Sequence, residues 1–435
     1  MRTLLLKSIV LAVVITGSFA KAQENTNSMR AYLAPEKYDR NIFEDPKVVA
    51  PEYDGVKVTI GGDFALQYQG VKHWTEGATT APLISLENNF NLPTANLDVN
   101  AYLAKGVKMH LRTYLSARHH NEAWVKGGYI QIDNLDFISP GFLGDIMKNT
   151  RVKIGMDEIN YGDSHFRRTD NAEAINNSFV GNLIMDNFST EAFGEVYYYK
   201  NGFIGMLGIS NGKLNQSVIK GNNDNKASIY GKIGYDKQID DKLRVRLTGS
   251  FYTNQGLNTG TYLYSADRAG SRYYYVLLTT ADATGTSNQA TGRFNPGFRK
   301  NTAFQINPFV KYQGLEFFGT FENVSGYKIK TGTTLQDTKG SYTQLAAELL
   351  YRFGGKEQYY IGGKYNTISG KDYDGADSRK IDRLNFGGGW YMTKNILAKI
   401  EYVNQKYDKS TAWGTNTTLY GGKFNGIMME ATIGF

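Results

Sequence analysis

The stretch VKVTIGGDFALQYQG, residues 56–70, decides the fold class because its apolar and polar side chains alternate with a period of two. Val58, Ile60 and Phe64 fall on one face, and Lys57 and Asp63 fall on the other. The run is longer than the usual soluble strand of about five or six residues. It is long enough to cross a bilayer as a tilted strand, which takes about 9–11 residues. The pattern therefore predicts an amphipathic strand of transmembrane length.

The same alternation recurs along the rest of the chain. It predicts an all-β fold, a transmembrane antiparallel β-barrel of about 16 strands, with 18 as the alternative count. The clearer candidates after the first are 96–105, 107–118, 226–236, 242–254, 304–313, 315–324, 342–353, 359–369, 383–392, 396–407 and the final strand. Less regular candidates are 124–133, 150–156, 191–200 and 203–210.

Tight turns alternate with long connections along the chain. The turns, which have hairpin chemistry, are 105–106, 201–202, 238–241, 313–314, 354–357 and 393–395. The long connections are 71–93, 157–190, 211–225, 255–300, 325–340, 370–379 and 408–423, whereas 119–123 and 134–149 break the alternation. Outer-membrane barrels place short turns on the periplasmic side and longer loops outside. We therefore expect both termini on the periplasmic side.

The first 22 residues have the layout of a cleaved secretory signal peptide. A basic start is followed by an apolar run over 9–15 and the small-residue site Ala20-Lys21-Ala22. A membrane anchor is the alternative, but the run is shorter than the roughly 20 apolar residues of a helical span. Cleavage leaves 413 residues (435 minus 22). We expect the barrel over 56–435 and a periplasmic segment over 23–55, with a lumen insert and a partner contact as the alternatives for 23–55.

Composition excludes several function classes. The chain contains no cysteine, so an exported protein of this sequence needs a source of rigidity other than disulfides, such as a closed sheet. The formal net charge of +8 falls when the signal peptide is removed, and no basic tract is interleaved with aromatic residues. Nucleic-acid binding is therefore not expected. The 48 glycines and 31 tyrosines are spread throughout, which favours one large unit.

The last ten residues, GIMMEATIGF, form another alternating strand. Ile427, Met429 and Ile433 fall on one side, and Glu430 falls on the other. A terminus usually frays in a soluble domain, whereas this one is expected to pair with the first strand and close the barrel. A soluble β-sandwich or propeller is the alternative, but sandwich strands are usually shorter and a propeller needs a repeat of about 40–50 residues.

The signal peptide, the long amphipathic strands and the terminal Phe435 together resemble a Gram-negative outer-membrane porin. The stretch GMDEINYGDSHFRRTDNAEAINNSF, residues 155–179, is similar to the third-loop region of Bacteroidota porins and, more distantly, of phosphate-selective porins. The resemblance implies location in the outer membrane, contact with its lipid, and a homotrimer. It also implies that Phe435 is the signal read by the barrel assembly machinery, and that the third outer loop, 157–190, folds inward.

Charged residues in that third loop are the candidate pore constriction. Opposed acids and bases across a narrow passage create a transverse field that orients dipolar solutes. The candidates are Asp157, Glu158, Asp163, His165, Arg167, Arg168, Asp170 and Glu173. The alternative is an external loop with solvated salt bridges, because charge runs are usually solvated faces.

A second candidate site is a basic ladder on the lumen wall. Lipid-facing and lumen-facing residues alternate, so side chains two positions apart project into the lumen together. The ladder consists of Lys108, His110, Arg112, Arg151, Lys153, Arg244 and Arg246. Such a wall enriches anions in a confined lumen. In the alternative interpretation these cations pair with acids across the wall and cancel.

These features predict a water-filled channel for passive diffusion of small hydrophilic solutes and ions, with an anion preference. One alternative is an occluded accessory barrel that acts as a structural partner in a secretion or surface complex. A barrel enzyme is the other. The five histidines are scattered and no metalloprotease, Walker or G-x-S-x-G motif occurs. We therefore predict no catalytic residue, no metal and no cofactor.

Overall fold

The computed structural model describes residues 32–33, 43–116, 123–170, 173–213, 226–256, 263–265, 274–282, 291–332 and 334–435. The predicted signal peptide lies outside these residues. Most of 23–42 and most of the connection 119–123 lie outside them as well.

Strands make up most of the described chain. The first nine are β1 (Lys57–Trp74), β2 (Asn89–Ala104), β3 (Val107–Ser116), β4 (Trp124–Ile132), β5 (Thr150–Glu158), β6 (Thr190–Lys200), β7 (Phe203–Ser210), β8 (Ser228–Gln238) and β9 (Leu243–Asn254). The others are β10 (Asn301–Tyr312), β11 (Leu315–Gly326), β12 (Ile329–Thr331), β13 (Thr334–Leu335), β14 (Gly340–Phe353), β15 (Tyr359–Lys371), β16 (Arg379–Thr393), β17 (Ile396–Tyr407) and β18 (Lys423–Gly434).

The helical elements that lie wholly within the described residues are single turns. The α-helix α1 covers Gly144–Met147, and 3-10 turns cover Ser164–Arg167, Ala174–Asn176 and Thr411–Trp413. In the part of the chain that the structure describes, no helix has the length and apolar character needed to traverse a bilayer.

Sixteen of the described strands form one closed antiparallel barrel. Each pairs with its neighbours in sequence, except that β11 pairs with β14 and β18 returns to β1. The short strands β12 and β13 form a separate hairpin between β11 and β14. The prediction of a 16-stranded transmembrane antiparallel barrel is confirmed, and every predicted strand is present.

The seam between β1 and β18 closes the barrel as predicted. Asp63 pairs with Gly434 and Gln67 with Glu430. The backbone N–H of Phe435 donates to Gly62 O at 3.0 Å, and Gly62 N–H donates to Phe435 O at 3.2 Å. A Cβ on Gly62 would lie 2.9 Å from the Phe435 ring, so this position favours glycine. No strand edge in the described barrel is left open to lipid, which has no hydrogen-bonding groups to offer.

Apolar side chains cover the outside of the barrel and polar ones fill its inside. On β18, Met429 is 45% exposed and Ile433 is 49% exposed, whereas Glu430 between them is 3% exposed. The same division holds for Phe64 outside and Gln67 inside on β1. The period-two pattern is therefore the transmembrane pattern, with an outward band that matches lipid.

Short connections and long connections lie on opposite rims. The rim that holds Phe435 and the start of β1 is called the turn rim, and the opposite rim is called the loop rim. The loop predicted at 71–93 is shorter in the structure, 75–88, because β1 and β2 continue pairing to Gln69 and Asn89 and β1 follows β18 as far as Trp74. The third loop likewise starts at 159, because β5 stays paired with β6 through Glu158. Asp157 and Glu158 thus lie on a strand.

The connection 134–149 is the long exception on the turn rim. It contains α1 and exposes five large apolar side chains. These are Phe137, Ile138, Phe142, Leu143 and Ile146, each between 43% and 59% exposed.

Candidate functional site

The loop 159–189 makes most of its contacts with inward-facing side chains of the barrel wall. Its backbone N–H groups donate to wall side chains at three successive places. Val180 donates to Glu401 at 2.7 Å, Ile184 to Asn366 at 2.7 Å and Met185 to Gln344 at 2.9 Å. These acceptors lie on β17, β15 and β14. Buried backbone groups need hydrogen-bond partners. This loop has little secondary structure to provide them, so inward-facing polar side chains of the wall accept its hydrogen bonds instead.

Lys399 on β17 holds the middle of the loop. Its ammonium donates to the carbonyl oxygens of Ala174, Asn177 and Phe179 at 2.7–2.8 Å. It also lies 2.9 Å from the carboxylate of Glu430. The ammonium group is buried, so these contacts replace its hydration.

Most of the acids and bases predicted as a constriction form ion pairs, chiefly with the wall, whereas the Asp157 carboxylate accepts a hydrogen bond from the backbone N–H of Glu158 at 2.8 Å. Arg167 contacts Glu316 at 2.6 Å and Glu348 at 2.8 Å. Within the loop, Arg168 contacts Asp186 at 2.6 Å. The other pairs are Asp170 with Lys126 at 3.0 Å, Glu173 with Arg112 at 2.7 Å, and Asp163 with both Lys232 and Arg246 at 3.0 and 2.7 Å. The charges therefore connect loop to wall, Asp163 at β8 and β9 and Arg167 at β11 and β14.

Asp163 has the densest set of partners. Thr248 donates a hydrogen bond to it at 2.7 Å, and its own backbone N–H donates to Asn307 at 2.8 Å. Burial opposes ionisation of this carboxyl, but Arg246 and Lys232 outweigh that effect and lower its pKa. The preceding Gly162 has a φ of +70°, and a Cβ there would lie 1.9 Å from Gln305 Oε1. Glycine is therefore required at this close approach.

His165 is not one of the charged members of the site. Its ring nitrogens contact Glu158 and Asn160. Burial, with the ammonium of Lys232 nearby, lowers the pKa of His165 to about 3. At neutral pH the imidazole is therefore uncharged, in contrast to the role that the sequence suggested for it.

The members of the basic ladder all project inward, and most have an acidic partner. Arg112 contacts Asp98 at 2.6 Å, and Arg151 contacts Asp133 at 2.8 Å. The remaining ion pairs are Lys108 with Asp45, Arg244 with Asp236, and Arg246 with Asp163. His110 contacts the Asn100 side chain at 2.7 Å.

Lys153 differs from the rest of the ladder. Its ammonium lies 4.5 Å from the ring centre of Tyr129 and 5.9 Å from that of Tyr197. No acid lies within ion-pair distance of it among the described residues. Cation–π contact stabilises such a group less than a buried carboxylate does, so this ladder member keeps a charge that no single residue neutralises.

A cavity of about 230 Å³ lies between β3–β6, the loop 159–189 and the turn rim. It brings together part of each predicted site. The lining includes the loop-site residues Asp157, Glu158, His165, Arg167 and Glu173 and the ladder residues His110, Arg112, Arg151 and Lys153. Asp163, Arg168, Asp170, Lys108, Arg244 and Arg246 are not part of the lining. On the other side of the loop a small void of about 30 Å³ borders Arg168 and Lys364.

A five-residue stretch near the N-terminus, Phe43–Lys47, also enters the lumen. We call it the lumen segment. The Glu44 carboxylate contacts Lys232 at 2.8 Å and Arg246 at 2.7 Å, and Asp45 contacts Lys108 at 3.2 Å. These residues belong to the predicted periplasmic segment 23–55, and their contacts fit the alternative of a lumen insert for this part of it. That stretch has no periodicity, so only its charges hinted at a contact.

Residues 274–298 cover the lumen from the loop rim in the parts that the structure describes. Tyr274 donates to Glu401 at 2.7 Å, and the backbone N–H of Leu277 donates to His73 at 2.8 Å. The N–H of Phe294 donates to Ile184 O at 2.7 Å. The apolar side chains of Val276 and Leu277, within the predicted long connection 255–300, are thus buried by the barrel itself.

The described residues contain no group of three or more side chains with the spacing of a metal site.

No protein-family model and no curated protein matches the sequence. Solved structures do match its fold. An anion-selective porin from Comamonas acidovorans has a TM-score of 0.51 at 13% identity, covering 88% of this chain and 100% of that one. The trimer form of OmpT from Vibrio cholerae has a TM-score of 0.50 at 10% identity, covering 88% and 100%. Salmonella typhi OmpF in complex with daunomycin has a TM-score of 0.50 at 10% identity, covering 88% and 98%. The likeness is one of fold.

Proposed function

We propose that this protein is an outer-membrane channel of the general porin type, through which small hydrophilic solutes and ions diffuse passively. The observation that carries the proposal is the division of the barrel wall into an apolar outward face and an inward face that carries most of the buried charged and hydrogen-bonding side chains. A barrel of about 16 strands is wide enough for an aqueous lumen. The likeness in fold to porins supports the same conclusion.

Planar-bilayer recording of the purified full-length protein tests the channel. We expect discrete conductance steps in symmetric potassium chloride. Their absence, in preparations whose heat-modifiable migration shows a folded barrel, would contradict the proposal.

We propose that loop 159–189, with Asp157 and Glu158 on the adjoining strand, is the constriction. The ion pairs of Arg167 with Glu316 and Glu348 support this role, because they fix the loop against β11 and β14. In the double variant Arg167→Ala, Arg168→Ala we expect a larger conductance or an altered ion selectivity. A channel unchanged in both would remove these residues from the solute path.

We propose a weak anion preference that depends mainly on Lys153. The other charged members of the ladder have acid partners. The potential of such a pair largely cancels at the position of an ion in the lumen. Lys153 borders the cavity with aromatic rings beside its ammonium and no carboxylate of the described residues within ion-pair distance. Reversal potentials in a salt gradient measure the preference, and cation preference in the wild-type protein would exclude it.

The remaining parts of the proposal concern export and assembly. We propose that residues 1–22 are a signal peptide, that the protein is a homotrimer in outer-membrane lipid, and that Phe435 is read by the barrel assembly machinery. The Phe435 side chain is 60% exposed, which leaves it accessible. Deleting Phe435 should lower the amount inserted in the membrane, whereas Phe353→Ala, at another exposed aromatic on the turn rim, should not.

A second candidate function is an occluded accessory barrel in a secretion or surface complex. The hydrogen-bonded contents of the lumen favour it, since the loop 159–189, the lumen segment and residues 274–298 all contact the inner wall. Absence of conductance both in the wild-type protein and after loosening of the lumen segment would favour this function over a channel. We propose no enzymatic activity.

A further inference from the structure

The lumen segment places a carboxylate in a site with several matched donors. Arg246 Nη2 reaches one oxygen of Glu44 at 2.7 Å, and Lys232 Nζ reaches the other at 2.8 Å. The side-chain amide of Asn160 donates to that same second oxygen at 3.0 Å. A guanidinium, an ammonium and an amide arranged around one carboxylate make a strong and directional anion site. Here the chain itself supplies the anion.

The adjacent side chain fills an aromatic slot. The Phe43 ring packs edge-on against Phe309 at 5.3 Å and Phe166 at 5.9 Å between ring centres. The Arg246 guanidinium lies 4.2 Å from the centre of the same ring. Phe43 and Glu44 therefore sit side by side as a ring and a carboxylate, each in a complementary pocket.

Glu44 shares its two cations with a second acid. Lys232 and Arg246 each contact the carboxylates of Glu44 and Asp163, so two cations meet two acids. All four side chains are buried. Loss of the Glu44 carboxylate removes one partner from both cations, and removing one partner of a buried ion pair is costly.

We propose that Phe43 and Glu44 occupy a binding site for a small solute that carries an apolar ring and a carboxylate. Such a solute enters the lumen by displacing the lumen segment. The segment is thus a tethered competitor, present at the millimolar effective concentration that a short tether gives. This inference rests on the proposed channel, because it assigns a solute class to that lumen.

The probe is the capped dipeptide acetyl-Phe-Glu-amide, which carries the same two side chains with the same covalent connection. The matched control ligand is acetyl-Phe-Gln-amide, which lacks only the charge. Binding is measured by titration calorimetry with the full-length protein in detergent. The variants are the double substitution Phe43→Ala, Glu44→Gln and, as a control on the same stretch, Glu52→Gln, whose carboxylate is exposed beside Lys105.

We expect the double variant to bind acetyl-Phe-Glu-amide at least ten-fold more tightly than the wild-type protein does, because its tethered competitor is weakened. The amide control ligand should bind the double variant at least ten-fold more weakly than the acidic probe. The Glu52→Gln protein should match the wild type. Equal affinity of the double variant for both ligands, or equal affinity of wild type and double variant for the probe, would overturn the inference.

Hydrogen exchange on the wild-type protein provides a measurement that does not depend on the variants. Saturating acetyl-Phe-Glu-amide should speed exchange of the amides at 43–47 and leave those of β9 unchanged; no change at 43–47 would contradict displacement. Conductance separates this inference from the proposed function. A double variant that conducts without binding the probe refutes the solute site and leaves the channel intact. If the probe binds but neither the wild-type protein nor the double variant conducts, the channel is refuted and the binding site remains.

Discussion

Two arcs of the barrel wall treat the lumen differently. The packed arc, made of β10, β11 and β14–β17, presents carboxamides, carboxylates and cations such as Lys399, and the loop 159–189 is hydrogen-bonded to it. The open arc, β3–β6, presents tyrosines, histidine, cations and carboxylates, and the 230 Å³ cavity borders it. Its contacts with the loop are mainly ion pairs, from Arg112 and Lys126. The difference teaches that a loop without secondary structure packs closely where the wall satisfies many of its backbone groups, and that space remains where the wall satisfies few.

The same substitution in each arc tests this contrast. In the packed arc, Lys399→Met removes the donor to three loop carbonyls and the cation beside the buried Glu430. Breaking a buried ion pair of this kind costs about 3–5 kcal/mol. We therefore expect the free energy of unfolding, measured by urea titration in lipid vesicles, to fall by that amount.

Lys380→Met is the control for that measurement. Its ammonium lies 3.0 Å from Asp382 but is 53% exposed. Exposed pairs contribute about 1 kcal/mol or less. A loss in Lys399→Met no larger than in this control would mean that the packed arc does not hold the loop.

In the open arc, Lys153→Met should change stability by about 1 kcal/mol or less, because the ammonium has cation–π contacts and no acid partner among the described residues. Its effect should appear in selectivity. We expect the reversal potential in a potassium chloride gradient to move toward cation preference. A loss of stability as large as that of Lys399→Met would erase the distinction between the arcs.

The smallest effect concerns pH at the boundary between the arcs, where Glu44 lies. Burial opposes ionisation of Glu44, but Arg246 and Lys232 hold its pKa well below the ordinary value of 4.5. When folding lowers the pKa of a carboxyl, the ionised group stabilises the folded state fully at any pH above its pKa in the unfolded chain. This stabilisation is lost as the pH falls through the lower pKa of the folded state, so Glu44 then no longer holds the lumen segment in place. We expect the conductance of the wild-type protein, relative to that of Glu44→Gln, to stay constant from about pH 8 to about pH 5 and to rise only below about pH 4.

Glu44→Gln should lack this acid-dependent rise, since its amide does not titrate. A rise in wild-type conductance already at about pH 6 would show that another group governs the segment.

The lipid-facing side of the barrel is predictable from the sequence, whereas the contents of its lumen are predictable only in part. Apolar and polar side chains alternate along β1 and β18 because one face of each strand contacts lipid. The same alternation marks the other strands, so the strand count, the two rims and the seam can be predicted from it. Asp157 and Glu158 were assigned to a loop because charges end an apolar pattern, although backbone pairing with β6 continues beneath them. Backbone pairing depends on both strands, so the end of a strand cannot be predicted from its own sequence alone.

The partners of the inward charges were beyond sequence for a different reason. Arg167 meets Glu316 and Glu348, which lie 149 and 181 positions away in the chain. Glu44 meets Arg246, 202 positions away. Once the barrel is known to be closed, the strand register gives the positions of the wall residues. The path of a loop or terminal segment through the lumen depends instead on how it packs against many wall residues at once. Phe43 and Glu44 have no pattern that marks them as inward.

The seam between β1 and β18 also bears on how fast this protein reaches its folded form. Asp63 and Gly434 are paired across 371 positions (434 minus 63). Contacts so distant in sequence are slow to form, because the chain loses the entropy of a very long loop before any hydrogen bond of the seam stabilises it. Until that step the strands at both ends of the sheet have unpaired edges that associate with other chains. Closure is therefore the step at which folding competes with aggregation, and a factor that holds the two edge strands together accelerates it without changing the final structure.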